Sequence, residues 1–250
     1  MVRRPAAVLT RRPGPITLAV AVPLAALAYF LGAPALPALA PGDVTVLVAG
    51  GTGVLFVAAT TLALVPARET LIGPLLVVLG SGLVVAALNI DGADGVGAGA
   101  NVAEALLASA LGLILARLFT VAVSAVAVPL FVAAVDIVSV WSGPTARMLE
   151  DGTDRVDPLS FDLPAWGESG SAGHLGLSDA IFLSMFAAWS QRYGFRGGPT
   201  LLGMVLGLLA SPVLSVALDA AIPALPLIAA GYLLPNLDRI GGLLGRDEPG

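Results

Sequence analysis

The sequence predicts an all-α protein, a polytopic bundle of about eight transmembrane helices. The 250-residue chain is 57% hydrophobic and 12% charged, whereas a soluble domain is about half apolar and about a quarter charged. Its mean hydropathy is +0.95. The apolar residues gather in stretches long enough to cross a bilayer, and segments rich in glycine, proline and aspartate separate them. We therefore expect an integral, multi-pass protein of the cell membrane.

Eight apolar stretches form the predicted spans. They cover residues 16–32, 44–65, 71–88, 101–116, 118–141, 175–191, 200–218 and 221–237. The longest connection, residues 142–174, is hydrophilic and carries six acidic side chains, so we expect it to be solvated. We divide the chain into N-terminal transmembrane helices, residues 1–117, and a second group with the hydrophilic loop, residues 118–250.

The basic residues predict an orientation. All of the twelve basic residues are arginine, and only Arg147 and Arg155 fall outside if the N-terminus is cytoplasmic. Because arginine is enriched in cytoplasmic loops, the 142–174 loop is expected on the extracytoplasmic side. The arginine-rich N-terminus also resembles a signal peptide, with small residues at 38–40, but we favour a retained first span.

Several classes of site are excluded by composition. The chain has no cysteine and one histidine, His174. This excludes disulfides, thiol catalysis and cysteine-based metal sites, and no metal or cofactor is predicted. No basic stripe exists outside the N-terminus, so we expect no nucleic-acid partner. We expect the lipid bilayer to surround the helices. The sequence indicates no particular oligomeric state.

Two aspartates interrupt apolar helices. Asp136 and Asp179 lie on either side of the 142–174 loop, so antiparallel helices would bring them to one membrane face. A carboxylate at bilayer depth costs roughly 2.5–3.5 kcal/mol on insertion scales, so such residues are usually functional. At a rise of ~1.5 Å per residue, each is expected about 8 Å inside its helix end. Glu104 and Asp219 lie near predicted helix ends and are expected to reach water.

Two neighbouring carboxyl groups have a definite chemistry. Like charges a few ångströms apart resist joint ionisation, so the two groups share one proton. The ionised member can take a proton from water while the protonated member donates to a carbonyl oxygen. The pair can therefore hydrolyse a peptide bond with neither a metal nor a covalent intermediate.

Three motifs surround these aspartates in a fixed order. Residues 135–140 (VDIVSV) contain Asp136, residues 176–184 (GLSDAIFLS) contain Asp179, and residues 223–225 (PAL) open the last predicted span. The first two resemble the two catalytic segments of presenilins, the second being the GxGD segment, and the third resembles their PAL motif. Over about the C-terminal 120 residues, the chain resembles an archaeal presenilin homologue, in the presenilin and signal-peptide-peptidase group of intramembrane aspartyl proteases.

The resemblance implies a presenilin-like fold of eight or nine spans and a GxGD-type protease. Asp136 and Asp179 would be the catalytic dyad, and the substrates would be transmembrane segments of other proteins or peptides. No cofactor is implied. The residues that would shape the site and seat the substrate are Gly176, Leu177, Ser178, Pro223, Ala224 and Leu225.

Two positions differ from the family pattern, and two other functions stay open. Val135 stands where the family usually has tyrosine, and Ser178 replaces the glycine before the second aspartate. Because glycine permits close backbone approach, Ser178 predicts a narrower site. A proton- or cation-coupled transporter or channel could use the same carboxylates as ion ligands. A non-catalytic protein that binds membrane segments is the other alternative.

Overall fold

A computed structural model describes residues 15–40, 42–66, 72–90, 97–142, 160–168 and 170–244. These residues form nine α-helices and one two-stranded antiparallel sheet. The helices are α1 (Pro15–Gly32), α2 (Asp43–Leu64), α3 (Ile72–Ile90), α4 (Ala98–Leu118), α5 (Ser124–Ser142), α6 (Leu177–Arg192), α7 (Gly197–Leu218), α8 (Leu225–Leu233) and α9 (Leu237–Leu244). The strands are β1 (Ser160–Pro164) and β2 (Ser171–Gly176).

Each predicted apolar stretch contains a helix, which confirms the helical bundle. Among the described residues, five helical segments are long and apolar enough to cross a membrane. They are Thr17–Ala35, Asp43–Leu64, Ala98–Leu118, Ser124–Ser142 and Gly197–Leu218. The expected count of eight or nine spans is not confirmed, because the third apolar helix qualifies only as the shorter segment Ile72–Val85, α6 has 16 residues and α8 has nine. The length and composition of the five segments support a membrane protein.

Helix α6 is central to the bundle. It packs most extensively against α4 and also contacts α2, α7 and α8. Its large side chains Leu183, Phe186 and Trp189 are completely buried. Because protein surrounds this helix, it can carry polar residues that a lipid-facing helix would expose to hydrocarbon.

Helices α4 and α6 approach each other closely. A Cβ atom on Gly112 would collide with the Ile181 carbonyl, so only glycine fits there. At the other end of the contact, the Trp189 indole and the Arg192 guanidinium both donate to the carbonyl oxygen of Ala116, at 3.1 and 3.0 Å. Helices from both sides of the predicted division at residue 117 thus share one apolar core.

A second close contact joins α7 and α8. A Cβ on Gly203 would meet the backbone of Gly231, and one on Gly207 would collide with the Leu227 carbonyl. The GxxxG spacing therefore serves packing between helices of the same chain. Helix α5, in turn, packs mainly against α8.

The two strands form a hairpin that corrects one expectation. Phe161 and Leu163 of β1 are buried, and a Cβ on Gly53 of α2 would collide with Leu163. The prediction of a solvated loop is therefore wrong for these residues, while 143–159 lie outside the described residues. Successive side chains of a β-strand point to opposite faces, so Phe161 and Leu163 lie on the same face of β1, and that face is buried. An isolated hairpin is marginal, so its packing against α2 and α4 stabilises it.

Candidate active site

Asp136 lies on α5, six residues before that helix ends at Ser142. Its side chain is half-buried. Its Oδ2 atom accepts a 2.9 Å hydrogen bond from the backbone N–H of Leu225, the first residue of α8. The N–H groups of a helix's first turn have no partner within the helix, so they are available to such an acceptor. The start of α8 thus helps to hold the first predicted aspartate.

Asp179 is the third residue of α6 and is 9% exposed. The expectation of a position about 8 Å inside the helix is wrong for this residue. Strand β2 continues to Gly176, so the helix begins only at Leu177 and Asp179 lies in its first turn. A carboxylate at this position interacts favourably with the positive end of the helix dipole.

The structure brings the two aspartates towards each other. The carboxyl group of Asp136 lies close enough to that of Asp179 for the two to interact electrostatically. The helices that carry them both pack against α8, where Phe186 of α6 stacks on Tyr232 with ring centroids 5.0 Å apart. Helix α8 therefore contacts both of the helices that carry the aspartates.

The PAL segment contributes its backbone to this site. Pro223 and Leu225 are buried, and Ala224 is half-buried. Ala224 is the N-cap of α8, and its carbonyl accepts hydrogen bonds from Leu227 and Ile228, at 3.1 and 3.0 Å. The contact with Asp136 is made by the Leu225 amide rather than by a side chain.

The three predicted residues before Asp179 lie where the hairpin meets α6. Gly176 ends β2 and is the N-cap of α6. A Cβ on Gly176 would lie 3.3 Å from Ser178 Oγ and 3.4 Å from Asp179 Oδ2. The backbone of Gly176 is thus directly beside the Asp179 carboxylate, while Leu177 packs against the apolar core.

The other two carboxylates in or near the spans differ in environment. Asp219 is exposed, as expected, and caps α7 in the left-handed conformation with φ of 48°. The expectation that Glu104 reaches water is wrong for its Oε2 atom. That atom is buried and has no hydrogen-bond partner among the residues that the structure describes. Strand β1 packs against α4 and places Asp162 close enough to interact electrostatically with Glu104.

The single histidine belongs to the hairpin. His174 Nδ1 lies 2.7 Å from Asp162 Oδ1, its neighbour directly across the two strands. Within the described ranges, no group of three or more histidine or acidic side chains could hold a metal ion.

Two serines of α7 were not predicted as part of the site. The Ser211 hydroxyl donates to the Ile222 carbonyl at 2.7 Å, and the Ile222 amide donates to Ser215 Oγ at 3.2 Å. Ile222 immediately precedes the PAL segment. The sequence did contain one indication of their role. The two hydroxyl side chains are four residues apart in an apolar helix, a spacing that places both on one face.

Comparison of the chain with models of protein families, with curated proteins and with solved structures found no match.

Proposed function

We propose that this chain is an intramembrane aspartyl endopeptidase, a multi-pass protein of the cell membrane that cleaves transmembrane segments of other proteins. The observation that carries the proposal is that the carboxyl groups of Asp136 and Asp179 lie close enough to interact electrostatically. These two carboxyl groups come from separate helices of an apolar bundle. The order of the three motifs, which resembles that of the presenilin and signal-peptide-peptidase group, also supports it.

The reaction needs one proton shared by the two carboxyl groups. The ionised group removes a proton from a water molecule, and the water oxygen bonds to the scissile carbonyl carbon. The protonated group donates its proton to the carbonyl oxygen, which gives an uncharged tetrahedral intermediate. The C–N bond then breaks as one carboxyl group gives its proton to the leaving nitrogen, while the other takes a proton from a hydroxyl of the intermediate. The C=O bond re-forms and the pair again holds one proton. The products are a new carboxyl end and a new amine.

An unpaired strand edge beside Asp179 supports the presentation of an extended substrate. Asp162 lies opposite His174, but its amide donates to Asn101 Oδ1 of α4 at 3.0 Å. Opposite residues in an antiparallel pair exchange both backbone hydrogen bonds or neither. The backbone of His174, and that of Gly176 two residues later, therefore faces away from β1.

This outer edge of β2 has no strand partner in the described part of the chain. A helical peptide bond is shielded by its own hydrogen bonds, so a substrate must unwind before hydrolysis. An unwound segment can add to an exposed strand edge through main-chain hydrogen bonds. Pairing with His174 and Gly176 would lay the substrate backbone next to Asp179, because Gly176 adjoins that carboxylate.

The test uses purified protein in liposomes with a labelled peptide that forms a single transmembrane helix. In ¹⁸O-labelled water, we expect cleavage that places one ¹⁸O atom in the new carboxyl group. A hydroxyl-containing transition-state analogue of aspartyl proteases should inhibit the reaction. Asp43→Asn, which neutralises an exposed carboxylate at the start of α2, is the matched control and should cleave normally.

Three results would contradict the proposal. Aspartate-dependent uptake of protons or cations by the liposomes, without proteolysis, would indicate a transporter. Retention of the uncut peptide would indicate a non-catalytic binder. Cleavage that the analogue does not affect would show that a different site performs the reaction.

A further inference from the structure

We infer that Ser211 and Ser215 are positioning residues, which fix the segment before α8 so that the Leu225 amide meets Asp136. The catalytic consequence of this inference rests on the proposed protease function, whereas the positioning itself does not. The evidence is two hydrogen bonds between α7 and Ile222 and a third between Leu225 of α8 and Asp136 of α5, with a short stretch of backbone joining Ile222 to Leu225.

The two serines bind both backbone groups of one residue. Ser211, which is 9% exposed, donates from Oγ to the Ile222 carbonyl at 2.7 Å. Ser215, one turn further along α7, accepts the Ile222 amide at 3.2 Å. Ile222 lies only three residues before Leu225. A shift of Ile222 would therefore be transmitted directly to the Leu225 amide.

The segment between α7 and α8 needs such partners because it is not helical. Residues 219–224 join the two helices without a regular pattern of backbone hydrogen bonds. Unsatisfied backbone groups are costly away from water, so side chains must supply the missing partners. An alanine at either serine would leave one backbone group of Ile222 without its partner.

The part of α7 that carries the serines is itself held in place. A Cβ on Gly50 of α2 would contact the Pro212 ring at 3.4 Å, so α2 and α7 touch next to Ser211. One turn before Ser211 on the same helix, Gly207 brings the backbone of α7 against the Leu227 carbonyl of α8. The two serines thus hold Ile222 against a part of α7 that packs on both α2 and α8.

Asp136 depends on this arrangement because of where α5 is anchored. Helix α5 packs mainly against α8, and the Leu225 amide donates its hydrogen bond to Asp136. A displacement of about 1 Å in a catalytic group can reduce a rate on the order of 100-fold. Loss of the serine hydroxyls should therefore lower turnover rather than substrate binding.

The first measurement does not depend on proteolysis. Hydrogen–deuterium exchange of the Ile222 and Leu225 amides is compared between the wild type, Ser211→Ala and Ser215→Ala in the same liposomes. We expect exchange to accelerate on the order of tenfold in each variant. The control is Ser190→Ala, because Ser190 is 3% exposed and donates only within its own helix, to Ala187 at 2.9 Å.

The second measurement separates positioning from general destabilisation. With the transmembrane peptide as substrate, kcat should fall roughly 10- to 100-fold in both alanine variants while KM stays within about twofold. Ser215→Thr keeps the hydroxyl acceptor on a half-buried position and should restore kcat. Ser190→Ala should keep the wild-type kcat.

The two measurements distinguish the possible failures. Unchanged exchange at both amides in the alanine variants would overturn the positioning inference, whatever the activity. Accelerated exchange with unchanged kcat, or an equal loss of kcat in Ser190→Ala, would overturn its catalytic consequence. If the wild type cuts no substrate while exchange responds as expected, the proposed function fails and the positioning of Leu225 stands. Should Ser211→Ala fail to fold, Ser215→Ala and Ser215→Thr decide the question alone.

Discussion

The backbone amide of Leu225 donates a hydrogen bond to Oδ2 of Asp136 across 89 residues of sequence. This contact joins the start of α8 to the aspartate on α5. Because α8 also packs against α6, one short helix contacts both of the helices that carry the predicted catalytic residues. The geometry of the aspartates should therefore be sensitive to changes in α7 and α8 that touch neither carboxylate.

The first prediction concerns the contact between α7 and α8. Gly207→Ala places a methyl group where the Leu227 carbonyl lies, so the two helices must separate. We expect a loss of stability of about 1–3 kcal/mol, since added carbons in a packed interface force backbone shifts. Unfolding by denaturant in detergent micelles measures the loss, and the cleavage rate should fall with it.

Gly198→Ala is the matched control on the same helix. A Cβ at Gly198 meets nothing within 4 Å. This variant should be as stable as the wild type or slightly more so, because alanine favours the helix over glycine. Equal stability of Gly207→Ala and Gly198→Ala would show that the glycine contact does not hold α8.

The second prediction concerns the outer edge of β2. His174→Pro removes the amide that faces away from β1, and the bonds to β1 from Gly173 and Leu175 are unaffected. Proline is tolerated on an edge strand because its missing donor faces outwards. We expect the hairpin to stay folded and kcat/KM for the transmembrane peptide to fall roughly tenfold. The kinetic assay in liposomes measures the effect.

The control for this variant keeps the amide. His174→Ala removes the imidazole that pairs with Asp162 but leaves the backbone donor in place. It should cleave much faster than His174→Pro. If both variants lose the same activity, the imidazole is what matters and substrate pairing at this edge is wrong.

The helices were predictable because long apolar stretches have few alternatives in a membrane protein. The number of membrane spans was not predictable, and α6 shows one reason. Its apolar stretch includes residues that form β2, and its polar side chains are accommodated by burial among other helices. The hairpin was missed because the six acidic residues of the 142–174 loop indicated a solvated segment. The alternation of Phe161 and Leu163 was its only local signal.

Part of the candidate site was likewise predictable from the sequence, and part was not. Asp136, Asp179 and the PAL segment were singled out from sequence, since buried carboxylates are rare and the motif order is distinctive. The roles of Ser211 and Ser215 depend on where the chain leaves α7, because only a non-helical connection brings the Ile222 backbone to their hydroxyls. No pattern within α7 specifies that exit. The burial of the Glu104 Oε2 atom likewise depends on tertiary packing around α4.

The most direct test of the shared-proton mechanism is the initial cleavage rate of one transmembrane peptide by the wild type, Asp136→Asn and Asp179→Asn. Each substitution keeps the size of the side chain but removes an ionisable group that the mechanism requires. We predict a loss on the order of 10²- to 10⁴-fold in both variants, as general acid–base catalysis disappears. A wild-type rate in either variant would show that the two aspartates do not act as a catalytic pair.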